Sequence, residues 1–144
     1  MLLFSFRLEI FVERRIRYFD KLNHIDRRVG NIESWLPFSG EERTKLAIYK
    51  AFQEIVEAFF DVLSMKLVEL KIPPKDDYTN ILILEEKGLI NKETSSVLRS
   101  ANGLRNRLIH GYNKVSDELA LESIRILLPK LVEIRKALES WAST

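Results

Sequence analysis

The 144-residue sequence contains no cysteine, which excludes a disulfide framework, a thiolate metal site and a cysteine nucleophile. Imidazole is almost as scarce: His24 and His110 are the only histidines, too few for a His-rich metal centre. A large excess of either charge is missing too. Lys and Arg total 23 against 21 Asp and Glu, and a net charge of +2 argues neither for nor against nucleic acid. Long apolar runs are also wanting. Met1 to Val12 is apolar but carries Arg7 and Glu9, which break a signal-peptide core, and no run approaches a membrane span. The expected setting is the cytoplasm, with no membrane involved. What is present is a composition 46% hydrophobic and 31% charged, that of a folded rather than a disordered chain.

With only 5 Gly and 4 Pro, few residues interrupt helices, and alternating strand-type patterns are missing. A first helix is expected from about Phe6 to about Val29, with Leu8, Phe11, Val12, Ile16, Phe19, Leu22 and Ile25 in its apolar stripe and Gly30 as its stop. Ser39 and Glu42 have the spacing of a capping box for a second helix, which reaches about Leu70 before Pro73-Pro74. Asp77 and Gly88 bracket a short third helix, and Asn91 and Gly111 a fourth. Ser116 or Asp117 opens a fifth, which contains Pro129. Short connections between such segments predict an all-α antiparallel bundle of about five helices, with residues 1–144 as one domain.

The near-neutral total hides local imbalance. Between Arg99 and Lys114 there are four basic residues, Arg99, Arg105, Arg107 and Lys114, and no acid. The first helix is also rich in Arg, so a basic face is expected, a necessary but insufficient feature of a phosphate-backbone binder. On a helical projection Arg99, Asn102, Asn106 and His110 share the polar side of the fourth helix. Arg105 falls instead on an apolar flank beside Leu98 and Ile109. A permanent charge there needs a partner or a purpose. From spacing alone the plain reading comes first: Arg105 reaches solvent or pairs with a carboxylate of a neighbouring helix. Likewise His110 before a glycine suits a helix C-terminus, Tyr112 suits simple packing, and His24 is a surface or packing residue.

Arg105-x4-His110-x-Tyr112, with Asn106 directly after the arginine, resembles the motif of HEPN-domain proteins, specifically the HepT toxins of HepT–MntA toxin–antitoxin pairs. The resemblance extends from Glu41 to Leu138 and is less distinct in the first forty residues. It implies a metal-independent endoribonuclease toxin with no cofactor, acting on RNA. His110 would be the general acid/base and Arg105 would stabilise the phosphate; Asn106 would orient His110, and Arg99 and Arg107 would bind RNA. No Asp/Glu/His cluster resembling a two-metal nuclease accompanies the motif. The implied partner is an MntA-like minimal nucleotidyltransferase antitoxin that attaches AMP to Tyr112. A non-catalytic HEPN-like nucleotide- or substrate-binding partner of a nucleotidyltransferase is the alternative. Arg105 and His110 lie about 140° apart around an ideal helix and roughly 7.5 Å apart along it. A flexible Arg105 reaching round, helix distortion near Gly111, or the homodimer that the resemblance implies, meeting on the flank of Leu98, Arg105 and Ile109, would bring them into one cleft.

Overall fold

The computed structural model describes residues 2–111 and 116–143. Five helices follow in order: α1 (Leu2–Trp35), α2 (Glu42–Glu69), α3 (Asp77–Glu86), α4 (Lys92–His110) and α5 (Asp117–Ser143), with a 3-10 turn at Leu36–Phe38. There is no strand among the described residues, and the expected all-α bundle is what forms.

The core is a contiguous apolar cluster in which α2 is central. Phe52, Ile55, Phe59 and Leu63 of α2 are fully enclosed by Leu22 and Ile25 of α1, Leu84 of α3, Leu98 and Leu104 of α4, and Ile124 and Leu131 of α5. Their spacing of three and four is the period at which one helix stripe faces a core. α1 touches α2 and α5, whereas α4 touches α2, α3 and α5. Among the described residues the Arg-rich first helix and α4 therefore do not touch each other. Arg14, Arg28 and Arg105 are moreover paired with Glu69, Glu54 and Asp77.

Several expected boundaries move. α1 runs straight through Gly30 because the stripe of Tyr18, Leu22, Ile25, Val29 and Ile32 remains buried on either side of it. Gly30 itself is exposed and costs the helix only its weak propensity. The expected stripe is wrong in its first half: Phe6, Leu8, Phe11, Val12 and Ile16 are exposed, and Leu2 is 91% exposed. Residues 2–13 are all exposed, so among the described residues the apolar periodicity there has no second element to pack on. Ser39 is not the cap of α2. Its N–H closes the 3-10 turn on Leu36, and α2 begins later, after Glu41, without a side-chain cap. Pro129 lies inside α5 on an exposed side. The carbonyl it leaves without an amide donor belongs to Arg125, itself exposed, so water can satisfy it.

Other punctuation holds as expected. Asn91 caps α4 by accepting the Thr94 N–H at 2.8 Å. Ser116 Oγ accepts the Leu119 N–H at the start of α5. Gly88 (φ 74°) and Gly111 (φ 69°) adopt the left-handed conformation after α3 and α4, where glycine avoids the Cβ penalty.

Candidate functional site

The site is assembled from the α2 core, the start of α3 and the middle of α4. The loop before α3 is fixed by Asn80, a buried residue whose side chain both accepts the Lys75 N–H (2.7 Å) and donates to the Lys75 carbonyl (3.1 Å). Asp76, not Asp77, is the cap of α3: its carboxylate accepts the Thr79 N–H and hydroxyl. The hydrogen bond from the Thr79 N–H is the chief reason that the Asp76 carboxyl is held below its ordinary pKa. With Asp76 engaged at the cap, Asp77 is released to point at α4.

There it meets Arg105. One terminal nitrogen of the guanidinium, Nη2, donates to Asp77 Oδ2 at 2.9 Å and to Asn102 Oδ1. Nε donates to Asn106 Oδ1 at 3.0 Å. The guanidinium carbon lies 5.9 Å from the centroid of the Phe60 ring, within cation–π range. The side chain is only 11% exposed. Three of five N–H donors are thus fixed, and the Nη1 pair has no hydrogen-bond acceptor among the described residues. Arg105 has both a partner, as the plain reading required, and one amino edge left over.

His110 is the last residue of α4 and is exposed. The helix stays regular up to it, and the Gly111 N–H still bonds the Arg107 carbonyl at 3.2 Å. Distortion begins after His110, so Arg105 and His110 leave the same helix on sides about 140° apart. The amide oxygen of Asn106 serves Arg105, not the imidazole of His110. Leu98 is buried in the chain's own core, which removes it from the flank expected to meet a second copy; Ile109 remains exposed. Arg99 is half-buried and Arg107 exposed, on the side of α4 that faces α5. Tyr112 lies outside the described residues. Among the described residues no group of three His, Asp or Glu is placed to hold a metal ion. No helix among them is long and apolar enough to cross a membrane.

A family model described as ribonuclease HepT-like matches residues 20–138. The chain belongs to this family. It is 32% identical over 126 residues to a protein of Archaeoglobus fulgidus named "Putative RNase", covering 83% of this chain and 91% of the relative. Two solved structures share the fold. One is a toxin–antitoxin with AMP-PNP (TM-score 0.78, 16% identity, 85% of this chain and 97% of that one). The other is a tri-AMPylated Shewanella oneidensis HEPN toxin in complex with MNT antitoxin (TM-score 0.80, 17% identity, 86% and 97%). The HepT-like match contains every residue of the Arg105 cluster and begins after the exposed half of α1.

Reading the sequence missed three members of that cluster. Asp77 looked like a cap and Asn102 like a solvated polar residue, while Phe60 is part of the apolar core and gives no sign in the sequence that it also faces a guanidinium. Only the three-residue interval from Asn102 to Arg105, which makes them neighbours on one helix, was available as a signal.

Proposed function

We propose that the chain is a metal-independent endoribonuclease toxin, in which Arg105 holds and stabilises the scissile phosphate and His110 moves protons. The observation that carries this is the presentation of Arg105. A structural ion pair would need one carboxylate, whereas here two amide oxygens, a carboxylate and a ring restrain one guanidinium and leave its Nη1 edge open. Such restraint removes the rotamer freedom that a flexible arginine would lose on meeting a phosphorane. His110 takes the proton from the ribose 2′-OH, O2′ bonds to phosphorus, and the P–O5′ bond breaks. The leaving O5′ takes up a proton, giving a 2′,3′-cyclic phosphate and a 5′-hydroxyl. Because the two groups leave α4 on different sides, a two-fold homodimer that pairs Arg105 of one copy with His110 of the other fits this reading.

The proposed antitoxin partner has support from a protein of the same fold. The Shewanella oneidensis HEPN toxin is AMPylated and bound to MNT antitoxin. We extend this to an MntA-like nucleotidyltransferase that attaches AMP to Tyr112, one residue past Gly111. A phosphodiester placed there would compete for the Nη1 edge of Arg105.

The test compares the wild type with His110→Ala and Arg105→Ala in growth and RNA-cleavage assays containing EDTA, with thermal melts to confirm folding. Toxicity and EDTA-resistant cleavage by the wild type alone are expected. Cleavage that persists in His110→Ala, or an inactive wild type that mass spectrometry shows to be unmodified at Tyr112, refutes the proposal.

A further inference from the structure

The side of α4 that carries His110 continues as Arg107, Gly103 and Arg99, four positions within about 80° of one another on an ideal helix. α5 runs antiparallel beside them: residues 99–107 share a groove with residues 123–127, while residues 91–97 lie beside 130–137. The groove encloses about 480 Å³ and is lined by Arg99, Gly103 and Arg107 from α4 and Ser123, Ile126 and Leu127 from α5. Neither arginine has a carboxylate within ion-pair distance among the described residues, in contrast to Arg105 on the opposite side. Gly103 opens the floor between them, with nothing within 4 Å of where a Cβ would stand. Ile126, at the edge, is 52% exposed. Beyond Arg99 the furrow is lined by Glu93, Glu133 and Lys130, so its charge becomes mixed there.

Two unpaired guanidiniums about 12 Å apart along the axis, with an apolar and glycine-floored gap between them, match a strand that alternates phosphates with flat bases. We infer that this groove seats single-stranded RNA on one side of the scissile bond. Arg99 and Arg107 each hold a phosphate, Ile126 and Leu127 underlie a base, and Gly103 lets the strand lie against α4. The stripe from Arg99 to His110 is about 16 Å long, room for about five nucleotides at a rise of 3.4 Å, fewer if stretched. The inference rests on the ribonuclease reading and gives its substrate a path. His110 stands about one turn beyond Arg107 on the same side of α4, which favours RNA over an acidic protein.

The experiment uses the full chain with His110→Ala, so that RNA binds without being cut. Fluorescence anisotropy follows a labelled single-stranded RNA across a salt series. Adding Arg99→Gln and Arg107→Gln lowers the slope of log K against log salt by about 1.4 and weakens binding on the order of tenfold at 0.1 M salt. Adding Gly103→Leu instead leaves the slope intact and weakens binding several-fold. This substitution improves helix propensity and has space for its Cβ, so its melting temperature holds or rises. Unchanged affinity and slope in the double-arginine variant, or parent-like binding by Gly103→Leu, overturns the inference. So does a double-arginine variant that loses the antitoxin while binding RNA like its parent. A wild type that binds RNA through this groove but never cuts it overturns the nuclease reading alone.

Discussion

Removing the Asp77 carboxylate tests whether α3 holds Arg105 in place. Asp77 is 35% exposed and Arg105 11%, with the charged atoms 2.9 Å apart. Exposed pairs contribute about 0–1 kcal/mol, and hydrogen bonds to charged groups about 1.5–3 kcal/mol when one partner is removed. The pair lies between those cases, and Arg105 retains Asn102, Asn106 and Phe60, so a coupling of about 1–2 kcal/mol is expected. Asp77→Ala also removes an acid from the first turn of α3, a further 0.3–1 kcal/mol or so of helix-dipole stabilisation. The sum lowers Tm by roughly 4–8 °C for a chain of this size. A double-mutant cycle with Arg105→Ala separates the two contributions, because the dipole effect cancels and the pair does not. Urea denaturation of the four proteins measures it. A coupling below about 0.3 kcal/mol would refute the view that Asp77 restrains Arg105. If the coupling is present, the proposed RNA cleavage falls as well in Asp77→Ala, through an arginine that is less firmly held.

Two further outcomes concern stability. Glu69 lies under opposing influences: burial pushes its pKa up, but hydrogen bonds from Arg14 and Tyr18 outweigh this and hold it below the ordinary carboxylate value. A depressed folded pKa contributes stability above the unfolded value of about 4.3, and this is lost as pH falls through the folded value. The melting temperature should therefore drop on acidification below about pH 4, and Glu69→Gln should flatten that slope; an unaltered slope counts against the assignment. Asn91→Ala removes the α4 cap and should cost about 1 kcal/mol in denaturant titrations. A change within error would mean that water replaces the cap.

The architecture was legible because its signals are local. Asn91, Gly88 and Gly111 stop or start helices through bonds within a few residues of themselves, and a glycine after an apolar stripe needs no tertiary partner to act. Gly30 misled because the burial of Val29 and Ile32, a tertiary fact, outweighs one weak propensity. The apolar run from Phe6 to Ile16 misled in the opposite sense, since periodicity shows that a stripe exists and not that anything covers it. At the site, the motif from Arg105 to Tyr112 was visible as a resemblance, and the oddity of Arg105 on an apolar flank was visible as a physical conflict. Its resolution was hidden, because Asp77 and Phe60 come from other helices and their approach depends on how α2, α3 and α4 pack. The order of Asp76 and Asp77 had the same character: either could cap α3, and the geometry of the preceding loop, pinned by Asn80, decides which one is left to face Arg105.

Arg14 marks where the folded body mechanically begins. From α1 it reaches Glu69 at the end of α2 and the carbonyls of Trp141 and Ala142 near the end of α5, fastening three helices at one point. Residues 2–13 before it are all exposed, a rod about 18 Å long that stands off the bundle like a handle. The loss of this rod would leave the fastening and every core residue in place. Substitutions in the handle should therefore leave the melting temperature of the bundle nearly unchanged.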